Sequence, residues 1–181
     1  MRILNSELAD TLGNLLSRAC AKSLNPNQKY TAVNKFQLQE LLKLDVTKSL
    51  VERLSLLSSI CFQHYSSYNF YLVVDSVIAV LHLANNFFES TKPWELKKGD
   101  EDQTRKLETI ISMAFQSLQI CGIILQPIIP EISGKLLNRL NVPENERKWN
   151  FDENIKWNID SFNLGSFESV LFKRILLDAK I

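Results

Sequence analysis

The sequence predicts an all-α protein, an antiparallel helical bundle followed by an irregular C-terminal tail. Three observations predict it. Apolar residues recur at spacings of three and four through four long segments, which is the period of one helix face. Glycine and proline number only five each in 181 residues, too few for a turn-rich β architecture. The links between the long segments are short, and short links make chain neighbours antiparallel partners.

The first helix is expected over Asn5 to Leu24, with Leu4, Leu8, Leu12, Leu15 and Ala19 on one stripe. Asn25-Pro26-Asn27 ends it, because proline disfavours helical geometry in the residue before it. Residues 26–43 read as a polar connection holding a short helix from about Phe36 to Leu42. A second long helix fits Asp45 to Tyr65, with Leu50, Leu54, Leu57 and Cys61 as its seam.

The third fits Ser67 to Ser90. Its stripe is Phe70, Val74, Val77, Leu81, Ala84 and Phe88, widened by Tyr71 and Ile78. The fourth starts near Asp100, where Asp100, Glu101 and Asp102 suit the positive end of a helix. Leu107, Ile111, Ala114, Leu118, Cys121 and Leu125 then follow at heptad spacing. A last short helix begins at Pro130, a favoured first-turn position, and ends near Leu140. Two units follow: a bundle over residues 1–143, and a segment over 144–181 that packs on the bundle or on a domain absent from this chain. Within the latter, Glu144 to Gly165 is rich in Asn and Asp, with isolated Trp149, Phe151, Trp157 and Phe162. It is expected to wrap the bundle in extended form. Ser166 to Ile175 is expected to be a strand or a docking segment.

An apolar fraction of 45% and a charged fraction of 23% are those of a soluble globular protein. The net charge of +1 argues against attachment to nucleic acid through bulk positive charge. Any RNA contact must therefore come from a local site. Cys20, Cys61 and Cys121 are odd in number and far apart, which speaks against a zinc site or a disulfide framework and for a reducing compartment. The run Ile120 to Ile132 is interrupted by Gln126, Pro127 and Pro130 and is too short to span a bilayer. Met1 to Leu12 carries Glu7 and Asp10 and does not resemble a signal or transit peptide.

Catalytic constellations are missing from the pattern. His64 and His82 are the two histidines, and Gly13, Gly99, Gly122, Gly134 and Gly165 stand too far apart for a phosphate-binding loop. No nucleophile elbow is present. The expectation is a chain with no catalytic residues, no metal and no cofactor of its own.

Three polar features remain. Asn14 and Arg18 are four apart and share a helix face, roughly 80–120° from the leucine stripe. An amide and a guanidinium there could offer several donors to a base edge. The same spacing is also that of an ordinary solvated face. Lys92-Pro93-Trp94 follows the third long helix, and a restrained indole is a stacking surface for an unpaired base. A tryptophan plugging the bundle end reads identically. Asn85 falls in an apolar seam, where a polar residue fixes register or caps a loop by hydrogen bonds; it is read as structural.

At these residues the sequence resembles a known family. Leu8-Ala9-Asp10-Thr11-Leu12-Gly13-Asn14-Leu15-Leu16-Ser17-Arg18 is similar to the start of the anticodon-binding domain of methionyl-tRNA synthetases, whose pattern ends in Asn-Leu-x-x-Arg. Ala84-Asn85 with Pro93-Trp94 resembles that family's Ala-Asn…Pro-Trp element. Leu125-Gln126-Pro127-Ile128-Ile129-Pro130 resembles its Leu-x-Pro-x-x-Pro break, and Val170-Leu171-Phe172-Lys173-Arg174-Ile175 its closing segment, with Lys173 where a proline is usual. The four stand in the family's order and cover most of the chain.

The resemblance implies a class I aminoacyl-tRNA synthetase anticodon-binding bundle. It implies that Asn14, Arg18, Pro93 and Trp94 read the CAU anticodon of tRNA(Met), with the indole stacking on a base. ATP and methionine would bind a catalytic domain that these residues do not include. The tail near Val170 to Ile175 would pack against that domain, and the chain would be a piece of a longer enzyme or would act in trans. Arg2 to Leu8 with the first helix looks like the mitochondrial or bacterial form, which implies the mitochondrial matrix, or otherwise the cytoplasm. The rival expectation is a helical scaffold that binds a protein partner, with Trp94 as its anchor. No membrane partner is expected.

Overall fold

Six α-helices occur among the described residues of the computed structural model: α1 (Asn14–Ala19), α2 (Lys35–Leu41), α3 (Asp45–Ser66), α4 (Phe70–Ser90), α5 (Glu101–Leu125) and α6 (Pro130–Arg139). Two short strands, β1 (Lys29–Tyr30) and β2 (Phe162–Asn163), pair antiparallel. The described residues are 10–97, 99–149, 155–157, 160–166 and 171. The expected helix over residues 5–9, and most of the expected strand or docking segment at 166–175, lie outside them.

α5 is the axis of the bundle. It is buried on nearly every side from Leu107 to Leu125, and α1, α2, α3, α4 and α6 all pack against it. Asp100 caps it, accepting from the Gln103 N–H at 2.9 Å, as an acidic N-cap should. Its buried polar groups are paired. Ser117 Oγ donates to the Met113 carbonyl at 2.8 Å, and Gln116 Oε1 accepts from the Tyr30 hydroxyl at 3.1 Å. The expected seam of Leu107, Ile111, Ala114, Leu118, Cys121 and Leu125 is buried throughout. By length and composition alone, Phe70–Glu95 and Glu101–Leu125 could each cross a membrane. In the bundle the second is mostly interior, and the first buries one face.

α3 follows expectation, with Leu50, Leu54, Leu57 and Cys61 buried. α4 differs. Phe70, expected in the seam, is 49% exposed and Tyr71 65%, while Val73, Val80 and Phe87 join the buried set. The cause is packing on two sides. α4 meets both α3 and α5, so its buried arc turns away from the stripe that one neighbour would need.

The first helix also ends before Leu24. Residues 10–13 form a wider, π-type turn that leads into α1, and regular helix stops at Ala19. Regular i→i−4 bonding is lost at Ala21, whose N–H reaches the Arg18 carbonyl at 3.2 Å. Gln28 Nε2 donates to the Cys20 carbonyl at 2.8 Å, where continued helix would have used the Leu24 N–H. Leu24 N–H instead reaches Ala21 at 2.8 Å.

The tail meets the α1–α2 connection. Tyr30 of β1 pairs with Phe162 of β2, Ala32 N–H donates to Ser161 Oγ at 3.0 Å, and Asn141 Nδ2 donates to the Asn163 carbonyl at 3.0 Å. Gly165 passes so close to α6 that a Cβ there would lie 2.1 Å from the Asn138 carbonyl oxygen. Only glycine fits that approach. Trp149, Ile155, Trp157, Phe162 and Leu164 pack against the core.

Two buried thiols give the fold an alkaline limit. Burial pushes the Cys61 thiol up to about 12, and it pushes Cys121 up as well, helped by the neighbouring Cys61. An unfolded chain releases these protons near pH 9.0, and the folded one resists. Their contribution is therefore complete below pH 9 and is lost as pH rises toward 12. The urea midpoint is expected to fall progressively between pH 9 and 11. Replacing both cysteines with alanine is expected to lessen that fall without abolishing it, because burial also raises Cys20, Tyr30 and Tyr65.

Candidate nucleic-acid interface

The site lies where the end of α1 meets the end of α4. Asn85 sets their register. Its Nδ2 donates to the Thr11 carbonyl at 3.1 Å and to the Leu81 carbonyl at 2.9 Å, so one amide holds the π-type turn against α4. Seven residues on, Arg18 Nη2 donates to Glu89 Oε2 at 2.6 Å. Thr11 beside Asn85 and Arg18 beside Glu89 mean that α1 and α4 run in the same sense. Their polar last turns therefore coincide.

Arg18 has two further neighbours. Its Cζ stands 5.2 Å from the centroid of Phe88 and 5.6 Å from that of Trp94, both within cation–π range. Arg18 and Glu89 side chains are 37% and 61% exposed, so the ion pair itself contributes about 0–1 kcal/mol to stability. It ties down one nitrogen of the guanidinium without fixing the plane.

Trp94 reaches Arg18 because the chain reverses after α4. The Thr91 hydroxyl closes the helix on the Phe87 carbonyl at 2.8 Å. Lys92 then takes a left-handed conformation, φ 44° and ψ 59°, unusual for a residue with a Cβ. Pro93 is buried and opens a 3-10 turn over Pro93–Glu95. The buried ring anchors the turn, and Trp94, half-buried against the core, is neither a sealed plug nor a free paddle. Lys92 Nζ lies 3.5 Å from Glu95 Oε1. Among the described residues, cations and carboxylates are thus mixed here.

Asn14 is exposed. It stands four residues before Arg18, about 6 Å along the axis. The structure thus brings Arg18, Pro93 and Trp94 together and sets Asn14 one turn away on the same helix. Sequence reasoning missed Phe88 and Glu89 as partners of Arg18. Phe88 was assigned to the core by its period, correctly, since it is fully buried. Its second role depends on two helices running parallel, which no local pattern encodes. Among the described residues no three His, Cys, Asp or Glu side chains gather as metal ligands.

Residues 45–180 match the family described as the anticodon binding domain of methionyl tRNA ligase. Pro93 and Trp94 fall inside that range; Asn14 and Arg18 precede it. The mitochondrial methionine–tRNA ligase of Takifugu rubripes is 35% identical over 184 residues, covering 97% of this chain and 31% of the relative. The human mitochondrial methionine–tRNA ligase is 32% identical, covering 81% and 26%. The free-state methionyl-tRNA synthetase of Mycobacterium tuberculosis superimposes with a TM-score of 0.82 at 21% identity, covering 97% of this chain and 34% of that one. That likeness shows the fold: a helical bundle of the anticodon-binding type. The chain spans about a third or less of the length of these relatives. With the family match running over most of its length, the chain belongs to the methionyl-tRNA ligase anticodon-binding domain family.

Proposed function

We propose that this chain binds the CAU anticodon loop of tRNA(Met) and presents the tRNA for methionylation by a catalytic domain that lies outside these residues. The observation that carries the reading is the Arg18–Trp94 contact at 5.6 Å. It sets a planar donor beside a stacking surface, the two elements that single-stranded bases require. Trp94 stacks on an anticodon base. Arg18 and Asn14 donate to base edges, and Pro93 fixes the turn that presents the indole. Near-neutral charge suits this mode, because specificity comes from base contacts and not from phosphates. The Takifugu rubripes and human relatives are named as mitochondrial ligases, which supports a mitochondrial location for this chain. ATP and methionine belong to the catalytic domain.

Fluorescence titration of the chain with a CAU stem-loop tests the reading. Changing one anticodon base is expected to weaken binding at least about tenfold, the worth of one hydrogen bond to a charged group. Equal affinity for both hairpins would remove anticodon reading and favour the protein-scaffold alternative.

A further inference from the structure

We propose that Phe88 is a positioning residue for Arg18, with its ring acting as the floor on which the guanidinium lies while it meets an RNA base. The inference rests on the anticodon-binding reading above, but its physical core is independent of RNA. Phe88 is fully buried, so it cannot touch a tRNA itself. Its ring nevertheless lies 5.2 Å from Arg18 Cζ.

Arginine is a long side chain, and holding it in one rotamer costs conformational entropy. Glu89 alone does not hold it. A single hydrogen bond from Nη2 at 2.6 Å to a well-exposed carboxylate leaves the guanidinium free to turn about that bond. Two aromatic contacts restrict the plane. Trp94 provides one, but Trp94 is also the group expected to move when a base stacks on it. Phe88 is the contact that stays. It is fully buried within the hydrophobic core, and a buried ring in a close-packed interior keeps one orientation. Phe88 thus pre-pays part of the ordering that Arg18 would otherwise undergo on binding. Its neighbour Phe87 is equally buried but points about 100° away around the helix, which makes it the matched control.

The test uses five proteins: the unaltered chain, Phe88→Leu, Phe87→Leu, Arg18→Met and the double variant Arg18→Met/Phe88→Leu. Without RNA, the Arg18 Nε–H resonance is expected to be shifted by ring current. It should move toward its free value in Phe88→Leu and stay in place in Phe87→Leu. With the CAU stem-loop, Phe88→Leu is expected to weaken binding about two- to five-fold, the range of a partly exposed cation–π contact. Phe87→Leu should leave affinity unchanged although both leucine variants lose thermal stability. In the Arg18→Met background, adding Phe88→Leu should cost no further affinity, because Phe88 acts through Arg18.

An unmoved Arg18 resonance, equal affinity losses in the two leucine variants, or a Phe88 effect that persists without Arg18 would each overturn the proposal. No stem-loop binding by the unaltered chain would instead overturn the anticodon reading. The ring-current result would still decide whether Phe88 holds Arg18.

Discussion

Trp94→Ala is expected to weaken binding of a CAU stem-loop by about 1–3 kcal/mol, the range for one base stacked on an aromatic ring. That is roughly 5- to 150-fold in affinity. Two losses contribute. The base loses its stacking surface, and Arg18 loses the indole 5.6 Å from its Cζ, though it keeps Glu89 and Phe88. Stacking tolerates any base, because every base has a π-face. The variant should therefore weaken the CAU hairpin and a changed hairpin by similar factors, leaving their ratio intact. Arg18→Met should do the reverse and compress the ratio. Trp94 is half-buried, so Trp94→Ala also exposes some core. Circular dichroism must therefore show the variant folded at the titration temperature. A folded Trp94→Ala protein with unchanged affinity would take Trp94 out of the site and make it a plug of the bundle end.

The sequence carried the bundle well where structure is local. The seams of α3 and α5 are legible because each repeats an apolar residue at three and four, from Leu50 to Cys61 and from Leu107 to Leu125. The Asp100 cap and Pro130 start are legible because a few consecutive residues decide them. What was not legible depends on distant partners. The end of α1 is closed by Gln28, eight residues past the carbonyl it captures. Phe70 left the core because α4 has two neighbours, and a stripe on one helix does not report how many neighbours it has. The same holds for the site. Asn14, Arg18, Pro93 and Trp94 each stood out, but Glu89 sits 71 residues from Arg18. Nothing in the last turn of α4 marks it as the counter-ion of another helix. Asn85 is the intermediate case. Its place in an apolar seam announced a structural hydrogen bond, and only the fold supplied the acceptor.

The tail's attachment shows the same limit and leads to the largest stability effect expected. No period in residues 144–165 foretold that Phe162 would meet Tyr30 with tilted rings at 4.9 Å, or that Tyr30 would meet Phe115 edge-on at 5.2 Å. Tyr30 is fully buried, and its hydroxyl donates toward Gln116 Oε1 and Gln119 Oε1 at 3.1 and 3.3 Å. One residue of the α1–α2 connection thus joins α5 to the tail. Phe115→Ala removes the face of α5 on which that hub rests, and it is expected to cost about 3–5 kcal/mol as a large cavity at a fully buried site. For a chain of this size that corresponds to a fall in Tm of roughly 6–20 °C. Tyr30→Phe keeps the ring contacts and removes only the hydroxyl. It should cost about 1–3 kcal/mol, because the buried Gln116 carbonyl oxygen is left without its donor. Calorimetric melts of the two variants separate the possibilities. A hub held by packing gives Phe115→Ala much the larger drop. Equal drops would mean instead that the hydrogen bonds of Tyr30 carry the attachment, and that Phe115 merely fills space the surrounding helices can close.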